Sequence, residues 1–315
     1  MQLTAAIEAL LLSSRADGRS QETIKGYRRK LRQFLAFFGD VPIEEITVND
    51  VRRYIAHLWD RTTRWADHPK RKEQKGGLSP YTVASHVRAI KRLFNFLEAE
   101  GIIEVNPTRR IKTPDPRQRE PKAIALQDFL ALLAVTEGQS VLDRRDRAII
   151  LLLADTGIRV GGLVGLRVQD VDLERGLVTV TEKGNRTRLV PFTKPTSEAL
   201  RAWLEVHPQS PWLFISLGSR AKGALSPNGV AQMLRRRAEQ AGVEGRVNPH
   251  SFRHALAREW LMNNGDLASL SALLGHSSLE VTRQSYAIFT ISELQKKHAR
   301  HSPVARLLGE NDDAS

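Results

Sequence analysis

Residues 250–286, HSFRHALAREWLMNNGDLASLSALLGHSSLEVTRQSY, constrain this chain more than any other stretch, because they set reactive side chains at the ends of consecutive helices. Phe252, Leu256 and Leu261 follow helical spacing after Asn248-Pro249, so a helix begins there and His250 and Arg253 lie one turn apart on one face. Leu270, Leu273 and Leu274 mark a second helix that stops at Gly275 and leaves His276 at its end. Ser278 can cap a third helix, which carries Tyr286. Three helices can thus deliver two imidazoles, a guanidinium and a phenol to one point, a set suited to attack on a phosphodiester.

Two upstream fragments add cations to that set. In TGIRVGGL, Gly157 stops a helix just before Arg159. LVTVTEKGNRTRLVPF alternates and turns at Gly184-Asn185, which puts Lys183 at the tip of a hairpin, where a long amine can reach into a cleft. Arg186 and Arg188 share that hairpin and are alternatives to Lys183 for the same service. Arg159 and Arg253 can each donate paired hydrogen bonds to the non-bridging oxygens of a phosphorane, a geometry that planar guanidinium meets better than ammonium.

The pattern H-x-x-R-H, then L-G-H, then a tyrosine ten positions on, preceded by TGIR and the hairpin lysine, resembles the tyrosine recombinases of the phage-integrase family over residues 3–301. The resemblance implies a site-specific DNA recombinase that cleaves and rejoins DNA through a 3′-phosphotyrosyl link, without metal or other cofactor. It implies catalytic roles for Arg159, Lys183, His250, Arg253, His276 and Tyr286. Lys183 would be the general acid, His250 would assist proton transfer, His276 would bond the phosphate, and Tyr286 would form the covalent link. The family usually has an acidic residue three positions after its first arginine, and here that position is Gly162. The missing carboxylate leaves open weaker catalysis, a substitute brace such as Asp155, or activity that depends on assembly.

Composition agrees with a polyanionic partner. The 315 residues carry a formal charge of +13, so binding double-stranded DNA would release counterions, while a neutral metabolite would gain nothing. With no cysteine, disulfides, thiolate metal sites and cysteine nucleophiles are excluded. AAIEALLL near the N-terminus lacks a preceding basic segment, and the longest apolar run, 148–154, is too short to span a bilayer. A cytoplasmic, nucleoid-associated protein is expected.

The expected architecture is mainly α: a helical, SAM-like core-binding domain over 1–104, a basic Pro-rich linker over 105–122, a mainly helical catalytic domain with a small antiparallel sheet over 123–301, and a tail over 302–315. In the first block, Ile24, Tyr27, Leu31, Phe34, Leu35 and Phe38 follow Ser20 at helical period, with Lys25, Arg28, Arg29, Lys30 and Arg32 between them. Thr47-x-x-Asp50 forms a capping box, and Ser79-Pro80 starts a further helix. The basic loop 68–77 has no periodicity. Four prolines in 106–122, with Arg109, Arg110, Lys112, Arg117 and Arg119 among them, argue for an extended segment.

Other readings of the same residues compete. His250 and His254 form an i, i+4 pair, yet position 251 is Ser rather than the Glu of HExxH, which argues against zinc. Asp170 and Asp172 read as a polar turn, and Arg235, Arg236 and Arg237 as a mixture of solvated side chains and phosphate contacts. The resemblance is to the simpler Xer-type and transposon-encoded recombinases, and it implies a homo-tetramer on two DNA sites with paired inverted half-sites. A type IB topoisomerase-like enzyme and a catalytically silent DNA-binding relative stay open. Ile291, Leu294 and His298 recur at helical spacing and suggest a tail helix that docks on a neighbouring protomer. Neither the target sequence nor an accessory protein is legible in these residues.

Overall fold

A computed structural model describes residues 1–64, 73–115, 123–182, 186–217, 223–245, 247–275 and 278–286, together with Gln295 and His298. The chain forms two compact units, Met1–Arg119 and Glu120–Ser315. The basic tip of the 68–77 loop, Lys183 and the tail lie outside the described residues.

The first unit is built on α1 (Leu3–Ala16), α2 (Gln21–Phe38), α3 (Val48–Asp60) and α4 (Pro80–Ala99). Local signals start three of them. Ser20 Oγ accepts from Thr23 N at 3.3 Å and Ser79 Oγ from Thr82 N at 3.2 Å. At α3, Thr47 N donates to Asp50 Oδ2 at 2.8 Å while Asp50 N donates to Thr47 Oγ1 at 3.3 Å, the reciprocal capping box; each such cap is worth about 1 kcal/mol. Hydrogen bonds from Thr47, with Arg53 beside them, hold the Asp50 carboxyl down at about 2. Inward, Leu10, Leu31, Phe34, Tyr54, Ile90 and Phe94 are sealed from solvent, and Phe34 and Tyr54 meet edge to face with centroids 5.0 Å apart. Outward, Arg28, Arg29 and Arg32 of α2 are exposed, so an apolar face backs a basic one.

Two departures from the sequence expectation occur here. The block is not all helix: β1 (Thr63–Arg64) and β2 (Gln74–Lys75) pair antiparallel at the base of the basic loop, where ladder bonds satisfy backbone that helical period does not reach. Nor does an extended segment begin at Asn106. Residues 106–111 turn back onto α4, because the Asn106 amide donates to Asn95 Oδ1 at 2.8 Å and to Glu98 Oε2 at 3.1 Å, and its carbonyl accepts from Thr108 N at 2.9 Å. Ile111 joins the apolar core, and Arg109 pairs with Glu98 at 2.7 Å.

The second unit contains α5 (Leu126–Ala134), α6 (Val141–Thr156), α7 (Val160–Gly165), a short sheet of β3 (Val171–Asp172), β4 (Leu177–Glu182) and β5 (Arg186–Pro191), then α8 (Lys194–Glu205), α9 (Pro227–Gln240), α10 (Pro249–Met262), α11 (Leu267–Leu274) and α12 (Leu279–Tyr286). The sheet is antiparallel in the order β3-β4-β5, and the β4–β5 ladder runs from Leu177 opposite Pro191 to Glu182 opposite Arg186. α6 runs through the core, with Ile149, Ile150, Leu152 and Leu153 fully buried. α8 packs along it through Leu200 and Trp203, whose indole N–H donates to the Leu213 carbonyl at 2.8 Å. Asp172 Oδ1 accepts from Glu174 N at 3.1 Å and Arg175 N at 2.9 Å, so the polar turn lies just after Asp172, between β3 and β4, while Asp170 ends a short 3-10 helix.

A buried ionic cluster ties α6 to α9. Asp146, fully buried, receives Arg145 Nη2 at 2.7 Å on Oδ1 and Arg237 Nε at 2.9 Å on Oδ2. Arg237 also reaches Asp143 at 2.8 Å. The sequence expectation for the arginine run is corrected at this residue: Arg237 is buried structural charge, whereas Arg235 is exposed and pairs with Glu239 on its own helix.

Candidate functional site

The loop between α6 and α7 starts the site. Gly157 ends α6 with φ 58°, a left-handed turn that favours glycine, and a Cβ there would press on Leu256 and Leu274 at 2.9 Å. The chain then passes Ile158, fully buried, and reaches Arg159 at the N-cap of α7, partly buried.

α10 is set by Asn248, whose side chain accepts from His250 N at 3.0 Å and Ser251 N at 3.2 Å, and by Pro249 at the first helical position. His250 is therefore in the exposed first turn, with the His254 ring 6.5 Å away, centroid to centroid. One turn on, Arg253 is only 4% exposed. Its Nη1 donates to the Gly157 carbonyl at 2.7 Å and its Nη2 to the Leu274 carbonyl at 2.8 Å. A single guanidinium thus joins the backbone two residues before Arg159 to the backbone two residues before His276. The three motif fragments, far apart in sequence, meet at this side chain.

Asp266 caps the start of α11, its Oδ1 accepting from Ser269 N at 2.8 Å; hydrogen bonds from the Ser269 side chain and then its backbone lower the carboxyl below its usual range. It ends at Gly275, with φ 65°. α12 packs against α10 and α11, with Thr282 fully buried, and Tyr286 is its last residue. Of the sequence-predicted set, Arg159, His250 and Arg253 are described with their side chains, and Tyr286 as a backbone position on α12. His276 and Lys183 fall outside the described residues.

Three further residues bear on the site. Asp155, considered above as a substitute brace, receives Thr193 N at 2.6 Å, Thr193 Oγ1 at 2.8 Å and Thr196 Oγ1 at 2.7 Å on one oxygen, so it anchors the start of α8. Gly162 is buried within α7. Arg188, on β5, donates from Nη1 to the Leu273 carbonyl at 2.5 Å. Sequence reasoning had it only as an alternative to Lys183; the strand alternation that sets Arg188 on the face opposite Leu189 is the one signal that bears on it. Among the described residues, no group of three His, Asp or Glu side chains is gathered to hold a metal ion, and no helix is long and apolar enough to cross a membrane.

The helical array thus brings the backbone leading into TGIR and the end of α11 onto the one guanidinium of HSFR, beside an antiparallel hairpin. The profile of the phage integrase family matches residues 122–290, and that of the phage integrase SAM-like domain matches residues 2–113. The chain belongs to the phage integrase family. It is 32% identical over 301 residues to tyrosine recombinase XerC of Alcanivorax borkumensis, covering 93% of this chain and 92% of that protein. It is 33% identical over 296 residues to tyrosine recombinase XerA of Thermococcus kodakarensis, covering 93% and 94%. Among solved structures, the Tn1549 transposon integrase in complex with transposon right end DNA aligns with a TM-score of 0.73 over 95% of this chain and 99% of that one, at 18% identity, a level that speaks to the fold.

Proposed function

We propose that this protein is a site-specific DNA recombinase that cuts and rejoins DNA by tyrosine chemistry. The observation that supports this most is the junction at Arg253, which joins the segments leading to Arg159 and His276 while α12, ending at Tyr286, packs alongside. The kinship with Xer recombinases over nearly the full length of both chains points the same way.

In this reading the Tyr286 phenol, with a reference pKa of about 10, loses its proton with help from His250, and its oxygen attacks phosphorus. The P–O5′ bond breaks, Lys183 protonates the leaving 5′ oxygen, and a 3′-phosphotyrosyl ester remains. Arg159 and Arg253 neutralise the non-bridging oxygens, where charge accumulates, and His276 adds a hydrogen bond. The reverse attack by a 5′ hydroxyl reseals the strand, and the energy of the original ester is conserved in the protein link, so ATP is not required.

Residues 1–104 grip the duplex through the basic face of α2, 105–122 join the units, and 123–301 carry the chemistry. The working assembly is a homo-tetramer on two sites, each made of inverted half-sites, acting in the cytoplasm at the nucleoid. The 302–315 tail and the segment before it dock on the neighbouring protomer, and head-to-tail contacts of that kind close a ring. Truncation after Phe289 should spare half-site binding and remove cooperativity and recombination. Gly162, where the family usually has a carboxylate, favours a second reading, a silent DNA-binding relative. A covalent protein–DNA adduct excludes that second reading, and strand exchange between two sites distinguishes recombinase from topoisomerase.

A further inference from the structure

We propose that Arg188 is a positioning residue for the reaction, the side chain that registers the β4–β5 hairpin against the end of α11 from which His276 emerges. The rate part of this inference rests on the recombinase reading above.

The last carbonyls of a helix have no partner within it and carry the negative end of its dipole, so a cation that covers them fixes how the helix stops. Arg188 Nη1 donates to the Leu273 carbonyl at 2.5 Å and Nη2 to the Leu274 carbonyl at 3.4 Å. Leu274 is also the acceptor for Arg253 Nη2 at 2.8 Å. One carbonyl therefore receives a guanidinium from α10, the helix that bears His250, and another from β5, the strand that begins three residues after Lys183 in sequence. Gly275 completes the fit, because a Cβ at that position would collide with Arg188 Nε, and its φ of 65° disfavours any other residue. Lysine could serve one of the two carbonyls but lacks the planar fork that spans both.

The test compares wild type, Arg188→Ala and Arg188→Lys as full-length chains. It measures single-turnover cleavage of a DNA duplex carrying the cognate site, affinity for that duplex, and amide exchange across 267–275. A misplacement of about 1 Å costs roughly 10²-fold in rate. Arg188→Ala should accordingly cleave about 10²-fold more slowly with affinity within about twofold, since binding rests on many phosphate contacts. Exchange at 271–275 should rise about tenfold or more while the amides of α6 and α8 keep their protection. Arg188→Lys should recover part of the rate and part of the protection. Wild-type exchange at 271–275 in Arg188→Ala would overturn the proposal, as would a loss of affinity matching the loss of rate, which marks a phosphate anchor. Should wild type form no adduct at all, the recombinase reading fails, and the exchange measurement still decides the role of Arg188.

Discussion

Arg253 donates to the Gly157 carbonyl at 2.7 Å, and this one bond fixes the start of the Arg159 segment to the helix that presents His250. Arg253 is thus a brace as well as a candidate phosphate ligand. Its 4% exposure means that the charge is held by backbone carbonyls before any DNA arrives.

The double role separates the two arginines experimentally. Arg159→Ala and Arg253→Ala should each slow cleavage by about 10²-fold or more while binding changes little, as expected of groups that meet charge in the transition state. Arg253→Ala should in addition leave the Gly157 and Leu274 carbonyls without that donor, costing about 3 kcal/mol of stability. Thermal melts beside single-turnover rates check this; a wild-type melting temperature for Arg253→Ala would argue against the bracing role.

Asp146 should be among the most sensitive positions of the second unit. Its carboxylate faces both Arg145 and Arg237 in the interior, and Asp146→Ala would strand the Arg145 guanidinium and leave Arg237 with Asp143 as its carboxylate partner. Breaking a buried pair by removing one partner costs about 3–5 kcal/mol. Urea unfolding followed on the full chain tests it, and a change below about 1 kcal/mol would show that water or rearrangement substitutes for the carboxylate.

The first unit should weaken in mild acid through His86. Its Nδ1 shares a hydrogen bond of 3.1 Å with the Tyr54 hydroxyl, and burial, with Lys30, Arg61 and Arg29 nearby, pushes the imidazole down from 6.5 to about 4. The folded state therefore disfavours the charged ring: stability is full above pH 6.5, falls as pH drops from 6.5 to about 4, and levels off below. At about 1.4 kcal/mol per pKa unit, the loss is roughly 3 kcal/mol. His86→Gln should flatten this slope by about one proton. Urea unfolding read at the amides of α4, from neutral pH to about pH 4, gives the comparison; identical slopes for the two proteins would contradict the assignment.

Helix starts were legible in the sequence wherever a side chain announces them locally, as at Ser20, Thr47-Asp50, Ser79-Pro80 and Asn248-Pro249. The hairpin was legible too, from alternation and Gly184-Asn185. What was not legible depends on partners distant in the chain. Nothing local distinguishes the buried Arg237 from exposed Arg235, since only the fold brings Asp146 to it. Asn106 lies among prolines that signal extension, yet its side chain finds Asn95 and Glu98 on α4. For the site, the motif spacing named His250 and Arg253, but the junction at the Gly157 and Leu274 carbonyls, and Arg188 beside it, exist only in three dimensions.

The role of Lys183 is open to a chemical test. A bridging 5′-thio substrate has a leaving group that needs little protonation, so Lys183→Ala should be slow on ordinary DNA and largely rescued on the thio substrate. Without rescue, Lys183 is not the general acid, and with Arg188 engaged at the end of α11, Arg186 becomes the first hairpin cation to examine.

In the proposed reaction Tyr286 becomes covalently attached to DNA. The direct measurement is trapping of a protein–DNA adduct on a nicked duplex carrying the cognate site, with peptide mapping of the linked residue, in wild type and Tyr286→Phe. The account predicts an adduct at Tyr286 in wild type and none in Tyr286→Phe, with site affinity nearly unchanged because one hydroxyl contributes little beside many phosphate contacts. An adduct formed by Tyr286→Phe at the wild-type level, or one mapped to another residue, would contradict it.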